Sequence, residues 1–122
     1  MEGRKLTPKD FSIKGNNVRI NGNGNPGMLL IWADWCGHCQ RFKPTFNKMC
    51  KKLGDDFPCV SIDDTELSKD KNLAKSLNFG GFPTIKFFDQ TGKIIADYTS
   101  ERSEAPLYDH ICEFYHHCVS YH

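Results

Sequence analysis

Apolar residues recur along this chain with two different periods. Met28 to Ala33 is an unbroken apolar run, the pattern of a central strand covered on both faces. From Gly37 to Leu53 the apolar positions are Phe42, Phe46, Met49, Cys50 and Leu53, a spacing that predicts a helix with one buried stripe. Stepping back three residues from Phe42 reaches Cys39, so Cys39 lies on the stripe and Cys36 at the exposed N-terminal tip. Pro44 inside this helix cannot donate to the carbonyl of Gln40 and predicts a kink.

Elsewhere the pattern is more fragmentary. Thr7-Pro8-Lys9-Asp10 predicts a brief helical start, with Thr as cap and Pro at the first position. Lys14 to Gly27 is rich in Asn and Gly and predicts mostly loop, with a short strand at Val18–Ile20. Cys59 to Ile62 predicts a strand, and a helix is expected between Glu66 and Leu77. Thr84 to Phe88 and Lys93 to Ala96 flank Asp89-Gln90-Thr91-Gly92 and predict an antiparallel hairpin. A last helix is expected from Ala105 towards Tyr121, with Leu107, Ile111, Phe114, Cys118 and Tyr121 facing inward. On one such helix Cys112 and Cys118 stand about 9 Å apart along the axis, too far to bridge. Strand–helix–strand–helix–hairpin–helix implies an α/β fold, a mixed sheet with helices on both faces.

Size and charge narrow the function classes. The chain has 122 residues, 39% hydrophobic and 25% charged, which suits one domain with one core. A formal net charge of +1 without long like-charged blocks argues against nucleic acid or an anionic membrane as partner. The apolar run at Met28 is too short to span a bilayer. Met-Glu-Gly-Arg-Lys lacks the apolar core of a secretory signal, and Val-Ser-Tyr-His is no retention or lipidation signal. The expected compartment is the cytoplasm by default, with a virion or other compartment left open. Most of the six cysteines are then expected to be reduced.

The chemistry centres on Trp35-Cys36-Gly37-His38-Cys39. A Cys-x-x-Cys pair serves as half a zinc site, a structural disulfide or a redox switch. No second Cys-x-x-Cys and no His-x-x-x-His completes a zinc site, and a thiol on an exposed helix tip is a poor place for a structural disulfide. The redox reading follows, since a thiolate at a helix N-terminus is favoured by free N–H groups and the macrodipole. In the tail, Cys112 and His116, and Cys118 and His122, are four apart. The pairs face different sides of the predicted helix, so no metal is expected. Cys50, Cys59, Cys112 and Cys118 are expected to be small buried hydrophobes.

These motifs resemble the thioredoxin superfamily, and most of all a catalytic domain of the protein disulfide isomerase family. Trp35-Cys36-Gly37-His38-Cys39 has the isomerase form of the active site. Pro44 falls at the family's helix kink, Gly81-Phe82-Pro83-Thr84 at its cis-proline loop, and Tyr98 to Arg102 at a segment supplying a mobile arginine. The match covers about Met28 to the end, and the first 27 residues fit poorly. The resemblance implies a thioredoxin fold with Cys36 as nucleophile and Cys39 as resolving thiol. His38 would tune the potential, and Arg102 would lower the Cys39 pKa. Trp35, Gly81, Phe82 and Pro83 would receive an extended substrate. It implies protein clients with thiols or disulfides, a redox partner, a monomer and no cofactor. His38 in place of the Pro usual in thioredoxin points to the oxidising end of the family, whose potentials run from about −270 to about −180 mV. A thioredoxin-like reductant and a non-catalytic adaptor are the rival readings. One departure stands out. Leu30 occupies the position of a buried acid that serves as proton acceptor for the second cysteine, and Cys59 or Ser61 the position of its neighbouring lysine. Slow resolution by Cys39 is expected.

Overall fold

A computed structural model describes residues 3–22 and 24–120. The elements in chain order are β1 (Arg4–Lys5), a 3-10 turn (Pro8–Asp10), β2 (Phe11–Lys14), β3 (Asn17–Ile20), β4 (Gly27–Trp32), α1 (Gly37–Leu53), β5 (Cys59–Asp63), α2 (Asp64–Leu67), α3 (Lys71–Leu77), β6 (Thr84–Phe88), β7 (Ile94–Tyr98) and α4 (Glu104–Tyr115). Five strands form one mixed sheet in the order β1-β5-β4-β6-β7. β1, β5 and β4 run parallel, while β6 and β7 are antiparallel additions.

The apolar run lands on β4, the middle strand, and every residue of it is buried. Strand alternation divides it between two cores. Met28, Leu30 and Trp32 face α1 and α4, joining Phe42, Phe46, Met49, Leu107 and Ile111. Leu29 and Ile31 face the opposite side, where Leu67, Leu73 and Leu77 of α2 and α3 meet Phe11, Val18 and Ile20. A strand covered on both faces has no use for alternating polar residues. Gly27 opens it because a Cβ there would strike the Pro58 carbonyl and the Phe88 ring.

Several sequence expectations change here. The segment from Lys14 to Gly27 is less of a loop than expected. β2 and β3 form an antiparallel hairpin, Phe11 against Ile20 and Lys14 against Asn17, turned at Gly15 with φ +62. Its alternating burial was hidden by Asn and Gly on the exposed side. The helix expected between Glu66 and Leu77 is α3, and a second short helix, α2, precedes it; each is started by its own aspartate. Asp63 accepts from the Glu66 N–H at 2.9 Å, and Asp70 from the Leu73 N–H at 3.0 Å.

The last helix is also shorter than expected. It stops at Tyr115 because His116 turns left-handed, φ 57, and sends its N–H back to the Cys112 carbonyl. Phe114 is exposed rather than inward, because Tyr115 takes the inward place against Phe57 and Phe87, and Tyr121 lies outside the described residues. With the chain reversed after His116, Cys112 and Cys118 approach to 4.4 Å between Cα atoms and form a disulfide. The helical rise that forbade this bridge does not apply past residue 115. These two cysteines are consequently neither buried hydrophobes nor free thiolate ligands. Cys50 and Cys59 are buried as expected.

Candidate functional site: a dithiol at the start of α1

Helix α1 begins directly after β4, so the sheet delivers its first turn to the edge of the fold. Cys36 is the N-cap, in extended conformation, and its Sγ accepts the Cys39 N–H at 3.3 Å. This is the place that Ser or Asp fills in an ordinary helix, and the sulfur satisfies one of the N–H groups left over at the helix start. The Cys36 thiol also donates to the Phe82 carbonyl at 3.4 Å. The sequence pattern places Cys36 on an exposed tip. The tip is there, but Cys36 retains only 7% of its exposure, because the loop before β6 folds its carbonyl over the sulfur.

The two thiols are driven apart in acidity. Cys36 is held below the ordinary thiol range, first by the hydrogen bond from the Cys39 thiol, then by the backbone N–H groups of Cys39 and His38 and the charge of Arg102, which together outweigh the effect of burial. Cys39 is pushed up to about 11, first by burial, then by its hydrogen bond to Cys36. The arrangement keeps one ready nucleophile beside one thiol that holds its proton.

The other predicted residues surround this pair. Trp35 is 70% exposed, anchored by its Nε1–H to Asp64 at 2.8 Å and meeting Phe82 edge-on at 5.6 Å. The Phe82–Pro83 peptide is cis. Pro83 is buried, while Gly81 is exposed and accepts from the Thr84 hydroxyl at 2.6 Å. His38 acts on Cys36 through its backbone N–H. Its ring turns away, with Nδ1 2.8 Å from Arg41 Nη2. Arginine only donates, so Nδ1 accepts in this contact. Arg102 is exposed and lines a cleft of about 410 Å³ with His38, Arg41 and Thr45. Its charge lowers the pKa of both thiols.

Leu30 is fully buried and pairs in register with Ser61, so neither side chain at this register brings a carboxylate or an ammonium. Sequence reasoning passed over Asp64, Arg41 and Phe79. Arg41 was legible as the residue one helical turn after His38. Phe79 meets Phe82 at 5.4 Å within the one loop between α3 and β6, whereas Asp64 lies 29 residues from Trp35. No local pattern announces the Asp64 contact.

A family model described as Thioredoxin matches residues 8–113. The chain belongs to the thioredoxin family. This thioredoxin-family chain is 37% identical over 100 residues to protein disulfide-isomerase erp38 of Neurospora crassa, covering 80% of this chain and 26% of that protein. It is 29% identical over 108 residues to protein disulfide-isomerase A4 of Rattus norvegicus, covering 88% of this chain and 16% of that protein. It thus spans about a quarter or less of these relatives' length. Among solved structures, the Trx4 domain of ERdj5 superposes with a TM-score of 0.72 at 19% identity, covering 93% of this chain and 95% of that one. A human ERp44 structure gives 0.70 at 19% identity, over 92% of this chain and 29% of that one. These two likenesses concern the fold.

Proposed function

We propose that this domain is a thiol–disulfide oxidoreductase of the disulfide-isomerase type, acting on protein disulfides through Cys36 and Cys39. The observation that carries the reading is the pair itself: a thiol of lowered pKa at a helix N-cap, hydrogen-bonded to a second, protonated thiol one turn on. Cys36 as thiolate attacks one sulfur of a client disulfide. The S–S bond breaks, the leaving client sulfur takes up a proton, and a mixed disulfide forms. Cys39 then loses its proton and attacks Cys36, freeing the client as a dithiol and leaving Cys36–Cys39 oxidised. Run backwards, the same steps oxidise a client. If the client's own thiol attacks instead, the net result is isomerisation.

Trp35 and Phe82 form an apolar rim beside Cys36. Next to it lies a shallow depression of about 440 Å³ among Leu67, Ala74, Phe79 and Phe82, edged by Asp64 and Lys71. Such a surface accepts many extended apolar segments, which fits clients of varied sequence.

The decisive test is capture. Cys39→Ser protein, mixed with a disulfide-bonded client, is expected to hold it in a covalent adduct through Cys36 that a reductant releases. Cys36→Ser protein should capture nothing. A potential nearer −180 than −270 mV supports the isomerase type over a general reductant. If the Cys39→Ser variant accumulates no adduct, the reading gives way to a non-catalytic adaptor, a rival that the intact Cys36–Cys39 pair argues against and Leu30 leaves open.

A further inference from the structure

We propose that Cys50 and Cys59 form a second dithiol–disulfide couple, shielded by the N-terminal edge strand and oxidised by a small-molecule disulfide such as oxidised glutathione. Cys50 lies in the last turn of α1 and Cys59 opens β5, after the chain has reversed at Gly54. Each retains under 8% of its exposure. The Cys59 thiol hydrogen-bonds to the Cys50 sulfur, and that contact, followed by burial, holds its pKa well above the ordinary range. Tyr108 of α4 feels both sulfurs, which help push its hydroxyl up to about 12 after burial and Glu104. Two thiols in contact and walled by three elements are a preformed pair, not scattered packing residues.

Gly3 forms the cover. A Cβ there would stand 2.8 Å from Phe46 Cε2, 3.2 Å from Cys50 Sγ and 3.2 Å from the Cys59 carbonyl. A side chain at this position would have to push back the Phe46 ring and crowd the Cys50 sulfur. The cover continues into β1, two residues long and paired to β5 through Arg4 with Val60 and Lys5 with Ser61, and the chain is then anchored by Leu6, which is buried and donates its N–H to the Ser61 carbonyl at 2.7 Å. A two-residue edge strand opens locally at lower cost than the sheet. On this proposal, lifting Gly3 and β1 exposes the pair while Leu6 stays in the core.

The reaction balances with one glutathione disulfide. Cys50 attacks it, one glutathione leaves and takes a proton, and a mixed disulfide forms on Cys50. Cys59 gives up its proton and attacks the Cys50 sulfur, and the second glutathione leaves. Two thiols become one disulfide and two glutathiones carry away the electrons and protons. The couple is separate from the Cys36 site, because 14 residues of helix place the two ends of α1 about 21 Å apart.

The test uses the full chain with Cys36→Ser and Cys39→Ser, so that its own redox pair takes no part. After equilibration in glutathione buffers of rising oxidised fraction, free thiols are alkylated and the digest is weighed. The expected result is a Cys50–Cys59 cross-linked peptide, lighter by two hydrogens, growing with the oxidised fraction. Adding Cys59→Ser should convert it to a single glutathione adduct on Cys50. Gly3→Ala should accelerate cross-linking at least threefold by lifting the cover. Both cysteines staying fully alkylatable in buffers that oxidise Cys36–Cys39 of the unmodified chain would overturn the proposal. So would separate glutathione adducts on both, or a rate unmoved by Gly3→Ala.

Discussion

Cys36 carries out two tasks with one atom. Its sulfur caps α1 by taking the Cys39 N–H, and it also takes the Cys39 thiol hydrogen bond, which lowers its pKa more than the N–H does. Cys39, one turn on, pays for that arrangement, since it is buried and donates to Cys36. With a pKa of about 11, roughly one Cys39 in ten thousand is a thiolate at pH 7. A raised pKa means that the thiolate fraction grows as pH rises. In a mixed disulfide the burial of Cys39 persists but the Cys36 thiol is gone, so release by Cys39 should speed up about tenfold per pH unit to a plateau below pH 11, as stopped-flow measurements on a preformed adduct would show. Arg102 is exposed, so solvent screens the charge by which it favours the Cys39 thiolate. Arg102→Ala should slow this step by about two- to fivefold at pH 7, and added salt should shrink the difference. An effect that salt leaves untouched would point to a direct contact instead.

At the level of elements, α1, which carries the dithiol, is positioned by what lies on its stripe. Phe42, Phe46, Met49 and Leu53 seat α1 against β4 and α4, and its first turn then projects past the end of the sheet. The opposite face is held differently. Lys86 of β6 is 4% exposed, and its ammonium donates to Asp97 of β7 at 2.6 Å and to the Asn78 carbonyl at 3.3 Å. Asp97 is half-exposed, so it neutralises a buried charge from the wet side of the strand. Asp97→Asn leaves the ammonium short of a counter-charge and should cost about 1–3 kcal/mol, read as a lower urea midpoint with an unchanged slope. A Lys86→Met, Asp97→Asn double variant should recover much of the loss, because the buried charge is gone.

Across the whole molecule, the C-terminal turn joins two distant helices. The Cys112–Cys118 disulfide closes the chain reversal after α4. Within it, His117 lies over Phe57 at 5.6 Å and donates from Nε2 to the Leu53 carbonyl at 2.9 Å, the last residue of α1. The bridge thus holds a clasp between the end of α4 and the end of α1. For so short a loop, chain entropy limits its worth to roughly 2 kcal/mol. Cys118→Ser should lower stability by up to that amount without changing capture of clients at Cys36. Chemical denaturation of reduced and oxidised protein would measure the difference, and equal midpoints would remove the clasp from the stability account.

The sequence by itself determined β4, α1 and β6, because in each the burial pattern lies within the element's own residues. Met28 to Ala33, the stripe from Cys39 to Leu53 and Thr84 to Phe88 all stand where the apolar pattern puts them. It also placed Cys36 and Cys39 a turn apart at a helix start, since that follows from local geometry alone. Tertiary structure decided the rest. Cys36 is covered because a loop 46 residues away lays the Phe82 carbonyl over it. Trp35 is steadied by Asp64, and Lys86 is buried because Asp97 stands on the next strand. The Cys112–Cys118 bridge depended on where α4 ends, a matter of one left-handed residue that helical spacing does not encode. Periodicity reports which face of an element is dry. It does not report which distant group completes a hydrogen bond there, and that contact is what sets the chemistry of these thiols.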